Sequence, residues 1–176
     1  QIKNYINENF VELIDVLVKK WFNVIFRPHP EHFKRSKNIL KKIKNKFSQT
    51  NFQFDESVNN YKSMEKAKCL ITDSSGIAIE YMLIMKRPVL YLDEYDKIHN
   101  SEFKENSTFQ TIDIKIKDNF GYLFKKKDFY KIDDIINFSQ DDFKKKIPLL
   151  TNFIDENFFN FGRTKDFLNS NLKDII

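Results

Sequence analysis

The chain has 176 residues, with 30 Lys or Arg, 25 Asp or Glu and a formal net charge of +5 at pH 7. Hydrophobic residues make up 41% and charged residues 31%, which predicts a globular domain with a substantial core and excludes a disordered chain. No run of about 20 apolar residues occurs, so we expect neither a membrane span nor a signal peptide. The single cysteine, Cys69, excludes an intramolecular disulfide and favours a reducing compartment.

Basic residues are spread among acidic ones, as in the runs at 41–44 and 144–146. We interpret such runs first as solvated faces of helices. A basic surface that meets an anionic membrane or an anionic acceptor polymer is the second interpretation. Basic and aromatic residues alternate around 124–130, but only locally, so nucleic acid is not expected as a partner.

Hydrophobic periodicity predicts alternating helices and strands over the first half of the chain. Helices are expected over 2–20, 33–47, 61–68 and 77–85, and strands over 23–26, 52–54, 69–71 and 89–92. This order predicts an α/β fold, a Rossmann-like open parallel sheet flanked by helices. Because a helix precedes the first strand, we expect the chain to belong to a longer protein.

Beyond residue 94 the hydrophobic periodicity that distinguishes helices from strands becomes weaker. Ile112, Ile114 and Ile116 alternate with polar residues and predict a strand, and 121–124 predicts another. Helices are expected over 128–138 and 143–149, separated by a break at 139–142, and a last helix over 165–176. No repeat, low-complexity tail or linker divides the chain, so residues 1–176 are expected to form a single domain.

The run Arg27-Pro28-His29-Pro30 follows the first predicted strand. A residue before a proline is restricted to extended backbone, so Arg27 and His29 are both expected to be held extended. Arg27 and His29 are the candidate catalytic residues: Arg27 can form two parallel hydrogen bonds to a phosphate, and His29 can donate to one or transfer a proton near neutral pH. A turn with a partly buried histidine is the alternative, but the two prolines and the preceding arginine favour a site.

A polar turn, residues 72–76, joins the third predicted strand to an apolar helix. The start of a helix presents amides and the positive end of the helix dipole, which together favour a phosphate. Asp73, Ser74, Ser75 and Gly76 are the candidate donor-binding residues, and Glu80, one turn into the helix, could accept hydrogen bonds from sugar hydroxyls. The alternative is that the serines only cap the helix and Glu80 only faces water.

The polar segments fall after predicted strands, at 27–30, 73–76 and 93–96. Ligands of open parallel sheets bind outside the carboxyl ends of the strands. The sequence therefore predicts that these segments meet around a shared pocket.

Three motifs follow one another along the chain: Arg27-Pro28-His29-Pro30, Thr72-Asp73-Ser74-Ser75-Gly76 with Glu80, and Lys86-Arg87-Pro88-Val89. Gly162-Arg163, near the end of the chain, is a fourth and weaker motif. On these residues the chain resembles the C-terminal, donor-binding half of a GT-B transferase. The family it resembles most is that of the CDP-glycerol glycerophosphotransferases, which build teichoic-acid-like and capsular polymers. In that family two adjacent serines stand one place later, so Ser75 matches the first and Gly76 replaces the second.

The resemblance implies transfer of glycerol phosphate from CDP-glycerol to a polymer or glycan acceptor. It implies that His29 contacts the donor pyrophosphate, that Ser75 and Gly76 bind phosphate, and that Glu80 binds ribose or glycerol hydroxyls. Neither a cofactor nor a metal is implied. The enzyme would be cytoplasmic, with the inner face of the plasma membrane as a peripheral location. The family's other essential histidine lies in an N-terminal domain, so we expect this chain alone to bind donor with little turnover.

Other interpretations remain open at the level of sequence. UDP-N-acetylglucosamine 2-epimerases have a similar turn, matched here by Gly76, Ile77, Glu80 and Pro88, and Kdo-type transferases share the Arg-Pro-His-Pro run. A non-catalytic module, either a degenerate nucleotide fold or a basic domain that docks on lipid, is a hypothesis of another class. A nucleic-acid-binding module is a third, and it predicts a steep dependence of affinity on salt.

Overall fold

A computed structural model describes residues 6–73, 75–92 and 110–171. The predicted third polar segment, 93–96, and the end of the predicted last helix, 172–176, lie outside the described residues. The helices are α1 (Glu8–Lys19), α2 (Pro30–Arg35), α3 (Lys37–Phe47), α4 (Tyr61–Lys66), α5 (Ile77–Met85), α6 (Ile112–Phe120), α7 (Ile132–Asn157) and α8 (Thr164–Asn171), and a 3-10 helix covers Lys126–Lys131. The strands are β1 (Val24–Phe26), β2 (Phe52–Phe54), β3 (Leu70–Thr72), β4 (Val89–Leu92) and β5 (Tyr122–Phe124).

The strands form two small parallel sheets. β1 pairs with β2, while β3, β4 and β5 pair in that order. The α/β class and the parallel pairing are therefore confirmed. The expectation of one open sheet is corrected: within the described ranges no strand pairing joins the β1–β2 sheet to the second sheet.

β4 is the central strand of the second sheet, and all four of its residues are buried. Val89 and Tyr91 pack in one cluster with side chains of α5, α6 and α7. Leu90 and Leu92 pack on the other side with α1, the 3-10 helix and α7. The continuous apolar run Val89–Leu92, which follows Pro88, therefore forms a strand that is buried on both faces.

α1 connects the cores of the two sheets. Leu13 and Leu17 belong to the cluster that covers β4, whereas Val11 and Ile14 belong to a cluster with α3 and the phenylalanines of β1 and β2. An amphipathic helix usually buries one stripe, and here the stripe is wide enough to serve both sheets. The helix predicted over 2–20 is present from Glu8 to Lys19 as α1, and residues 2–5 of the prediction lie outside the described residues. Asn7 caps its start by accepting a hydrogen bond from the Asn9 amide at 2.9 Å.

The strand predicted from Ile112, Ile114 and Ile116 is wrong, because these residues lie in α6. Ile116 and Phe120 are buried against the second sheet, while Ile112 is partly exposed. The spacing of four between Ile112, Ile116 and Phe120 is the helical signal, and it prevails over the alternation of the isoleucines. The strand predicted at 121–124 is confirmed as β5.

The break predicted at 139–142 is also wrong, since α7 runs through it without interruption for 26 residues. Ser139 is fully buried, and its hydroxyl donates to the Ile136 carbonyl at 2.8 Å rather than capping a new helix. Asp141 and Asp142 pair with Lys144 and Lys146, one turn further on, at 3.0 and 3.1 Å. Such pairs stabilise the interior of a helix, so Asp141 and Asp142 lie within α7 rather than at the start of a new helix.

The helix predicted over 33–47 is divided into α2 and α3 at Ser36. Its backbone leaves the helical region there (φ −126°, ψ 31°), and its side chain is buried against Nδ1 of His32 at 3.2 Å. α2 itself has no buried residue, so it lies on the surface at the carboxyl end of β1. Among the described residues no helix is both long and apolar enough to cross a bilayer.

We predict that Gly121→Ala lowers the free energy of unfolding by about 1–3 kcal/mol. A Cβ at this position would lie 2.6 Å from the Lys117 carbonyl oxygen and 2.6 Å from Cε2 of Tyr91. The φ of Gly121 is an ordinary −81°, so the cost is steric rather than conformational. Urea denaturation of the wild type and the variant measures it.

Gly76→Ala is the matched control. A Cβ there meets no described atom within 4 Å, and the residue has a helical φ of −56°. We expect this variant to be as stable as the wild type or more so, by up to about 1 kcal/mol. Equal losses from both substitutions would contradict the packing described around Gly121.

Candidate functional site

Arg27 follows β1 and forms four hydrogen bonds to the loop after β2. Its Nη1 donates to Oδ2 of Asp55 at 2.7 Å and to the Ser57 hydroxyl at 3.0 Å. Its Nη2 donates to the carbonyl oxygens of Ser57 at 2.6 Å and Val58 at 3.2 Å. Both terminal nitrogens of the guanidinium are thus directed at protein acceptors.

Asp55 is the buried partner that sequence inspection missed. Its carboxylate accepts from the amide and hydroxyl of Ser57, at 2.9 and 2.6 Å, from the Ser63 hydroxyl and from Arg27. Burial alone would raise the pKa of this carboxyl, but the hydrogen bonds from Ser57, Ser63 and Arg27 outweigh burial and hold its pKa well below the ordinary value. The signal available in the sequence was the Asp-x-Ser spacing of a turn in which the side chain accepts from a backbone amide two residues on.

The prediction that Arg27 grips a phosphate with two parallel hydrogen bonds would require it to give up part of this network. Removing one partner of a buried pair leaves the other charge uncompensated and is costly. The geometry instead suits Arg27 to positioning the loop that carries Ser57 and Val58.

His29 begins α2. Its backbone is extended (φ −61°, ψ 142°), as the proline after it requires, and its Nδ1 accepts a hydrogen bond from the Glu31 amide at 3.2 Å. An Nδ1 that accepts carries no proton, so the neutral ring has its proton on Nε2. The side chain is exposed, with the ring of His32 edge-on at 6.4 Å. His29 therefore presents an N–H donor to solvent while capping the helix with its other nitrogen.

The turn from β3 leads into α5, whose cap residue makes no side-chain hydrogen bond. Gly76 occupies the cap position in helical conformation, the Ser75 amide donates to the Asp73 carbonyl at 2.8 Å, and the Ala78 amide donates to the Ser75 carbonyl at 3.0 Å. The described atoms leave the space over the Cα of Gly76 open. Glu80, in the first turn, is exposed. Ser74 lies outside the described residues.

Gly76 is not required by the backbone, because its φ of −56° suits any residue. What glycine provides is the absence of a side chain beside the start of α5. A phosphate could approach the backbone there without meeting a Cβ.

The candidate residues thus form two groups, each at the carboxyl end of a strand. Arg27 and His29 follow β1 of the first sheet, and Asp73, Ser75 and Gly76 follow β3 of the second. The prediction that such segments follow strands is confirmed for both groups, although the strands belong to separate sheets. A pocket shared by the two groups stays a prediction.

Two further features bear on the chemistry. Burial raises the pKa of the Cys69 thiol to about 11, so this cysteine is protonated and unreactive at neutral pH. Over the described ranges, no group of three or more His, Cys, Asp or Glu is arranged to hold a metal ion.

Comparison with known protein families, curated proteins and solved structures found no match to this chain. Its function has therefore to be argued from the residues and contacts above.

We predict that Asp55→Asn lowers the free energy of unfolding by about 3 kcal/mol at neutral pH, because Arg27 then faces a neutral partner. The pKa of Asp55 is lower in the folded chain, so its contribution is complete above about pH 4 and is lost as the pH falls through the folded value. The stability difference between wild type and variant should narrow in acid, which urea denaturation across pH measures.

Glu56→Gln is the control for this prediction. Glu56 is adjacent in sequence, but it is exposed and pairs with Lys44 at 3.0 Å, with both side chains about half exposed. An exposed pair contributes at most about 1 kcal/mol, so little change is expected at any pH. A constant difference between wild type and Asp55→Asn from neutral to acid pH would contradict the role of the ionised carboxylate.

Proposed function

We propose that this chain is the donor-binding domain of a transferase that uses a nucleotide-activated substrate, with the donor phosphates bound at the start of α5. The observation that carries the proposal is the start of α5 in the β3–α5–β4 unit, where the cap residue is Gly76 and the described atoms leave the space over it open. Parallel units of this kind bind phosphates at the turn after the first strand.

Several groups at this turn suit a nucleotide diphosphate. The positive end of the α5 dipole attracts the anion, and the Ser75 hydroxyl can donate to a phosphate oxygen. Glu80 is exposed one turn along the helix, where a carboxylate can accept hydrogen bonds from the hydroxyls of a ribose or of glycerol. This arrangement would recognise a ligand that carries a phosphate close to one or more hydroxyl groups.

CDP-glycerol is the donor that the motifs favour. In the proposed reaction an acceptor hydroxyl attacks the phosphorus that carries glycerol. A new phosphodiester bond forms, the P–O bond to the bridging oxygen breaks, CMP leaves with that oxygen, and the proton of the acceptor hydroxyl passes to a base other than His29. His29 donates from Nε2 to the pyrophosphate as charge develops there. Arg27 acts as a positioning residue through its hydrogen bonds to the loop after β2.

Titration calorimetry of the folded chain with CDP-glycerol, CMP, UDP-N-acetylglucosamine and CMP-Kdo tests the proposal. We expect CDP-glycerol to bind and CMP to bind more weakly, because CMP lacks the second phosphate and the glycerol. Tighter binding of UDP-N-acetylglucosamine or CMP-Kdo would assign a different donor. Failure of every nucleotide to bind the folded chain would overturn the proposal.

Gly76→Leu tests the place of binding. The new side chain would occupy the open space beside the start of α5 without straining the backbone, so we expect donor affinity to fall at least about tenfold while stability is retained. Calorimetry measures affinity and thermal unfolding measures stability. Leu149→Gln, on an exposed part of α7, is the control and should bind normally. Unchanged affinity in Gly76→Leu would exclude this turn as the phosphate site.

His29 can be tested by separating its two contacts. Asparagine also caps helices, so His29→Asn should keep the start of α2 and lose the Nε2 donor, whereas His29→Ala loses both. We expect both variants to bind CDP-glycerol about tenfold more weakly, since one hydrogen bond to a charged group is lost. Only His29→Ala should also be less stable, by about 1 kcal/mol. Normal donor affinity in His29→Asn would restrict His29 to capping.

A further inference from the structure

The second sheet ends at β5, and the outer edge of this strand has no strand beside it in the described part of the chain. Within those residues β5 pairs only with β4. Leu123, the middle residue of β5, is 57% exposed, whereas all three residues of β3 at the opposite edge are partly buried. The edge of a sheet presents backbone amides and carbonyls to which a strand of another chain can bind.

A groove of about 460 Å³ lies between this edge and the amino-terminal half of α7. Leu123 lines it on the β5 side, and Ile135 and Phe138 line it on the α7 side. The ring of Phe138 packs edge-on against Tyr122 with centroids 6.2 Å apart, yet Phe138 is still 64% exposed. Apolar side chains therefore flank the edge strand where a further strand would bind, and contiguous exposed apolar surface of this kind is typical of a contact with another chain.

The groove also carries charges of both signs. Lys131, which directly precedes α7, and Asp134, in its first turn, both line it. Lys131 is 42% exposed and pairs with Asp128 at 3.2 Å, while Asp134 is exposed and forms no ion pair with another described residue. A surface that holds a cation and an anion one turn apart is complementary to a copy of itself, because a two-fold axis brings the cation of each copy towards the anion of the other.

The residues on either side of β5 determine the direction in which two such edges can meet. Residues 125–127, directly after β5, are three exposed lysines. Parallel pairing of two β5 strands would place the two lysine runs side by side, which is unfavourable. In an antiparallel pair centred on Leu123, each run lies instead towards the end of α6 in the other copy. That end carries the exposed Asp118 and the negative end of the helix dipole, so the antiparallel direction is also the complementary one.

We propose that two copies of this chain associate through β5 in an antiparallel, two-fold arrangement. The two three-stranded sheets then form one six-stranded sheet, which is an ordinary size for a sheet, and Leu123 and Phe138 of both copies leave water. An extended peptide fits less well, because a three-residue strand offers it few backbone hydrogen bonds, whereas a second copy also brings its own α7 and its own lysine run. β5 is two strands away from the turn after β3, so the proposal does not depend on donor binding.

Sedimentation velocity of the 176-residue chain over a series of concentrations tests the proposal. We expect a monomer–dimer equilibrium with no larger species, because a two-fold contact closes on itself. Leu123→Lys and Phe138→Lys should each raise the dissociation constant of the dimer at least about tenfold, because an apolar contact is replaced by a charge that faces its own copy. Val58→Lys is the control: Val58 is fully exposed in the loop after β2 of the first sheet, so this variant should associate as the wild type does. Thermal unfolding confirms that each variant is folded.

A charge exchange tests whether the groove faces itself. Lys131→Asp and Asp134→Lys should each weaken self-association at least about tenfold, since like charges then meet across the axis. An equimolar mixture of the two variants should associate as strongly as the wild type, because an acidic groove then faces a basic one. Lys144→Asp and Glu156→Lys, at exposed positions further along α7, should have no effect alone or mixed.

Three results would each overturn the proposal. A wild-type chain that stays monomeric at every concentration would show that a second copy does not occupy the edge. An open-ended series of larger species would exclude a two-fold contact. A mixture of the Lys131→Asp and Asp134→Lys variants that associates no more strongly than either variant alone would exclude contact between the two grooves.

Discussion

The buried carboxylate of Asp55 is the constraint on which the first sheet's carboxyl end depends. A carboxylate in this position must be paired and hydrogen-bonded, and Arg27, Ser57 and Ser63 provide those contacts from three different elements. Through them the end of β1, the loop after β2 and the start of α4 are held as one unit. The conformation of that loop, and with it the exposure of Val58, follows from how one negative charge is satisfied.

The same constraint separates the two anion-binding candidates of the sequence. Arg27 meets a carboxylate inside the protein, so its charge is already balanced before any ligand arrives. At the start of α5 the cap residue is Gly76, which has no side chain to accept from the first amides. Of the two candidate segments, after β1 and after β3, the one without an arginine is therefore the better place for a phosphate. A cluster of charge in a sequence marks where anions could bind, but the structure decides which charges are free to do so.

How far the sequence predicts this protein depends on the range of the interactions involved. Val89–Leu92 was assigned correctly because proline and a continuous apolar run define a buried strand locally, and the extended backbone of His29 follows directly from Pro30. At 112–116 two local patterns compete, and the helical spacing of Ile112, Ile116 and Phe120 prevails over the alternation of the isoleucines. At 139–142 the polar residues indicate a break locally, but Ser139 is buried inside the packed core, which keeps α7 continuous. Arg27 and Asp55 are 28 residues apart in the sequence, so no local pattern predicts that they pair.

The cap at the start of α2 also limits what His29 can do in a phosphoryl transfer. Because Nδ1 accepts from the Glu31 amide, the neutral imidazole carries its proton on Nε2, the nitrogen left to face a ligand. In that tautomer the ring donates a hydrogen bond and cannot take a proton at the same atom. His29 is then suited to stabilising negative charge on the donor phosphates and unsuited to activating the acceptor hydroxyl. In the proposed reaction, the base for that step has to come from another group.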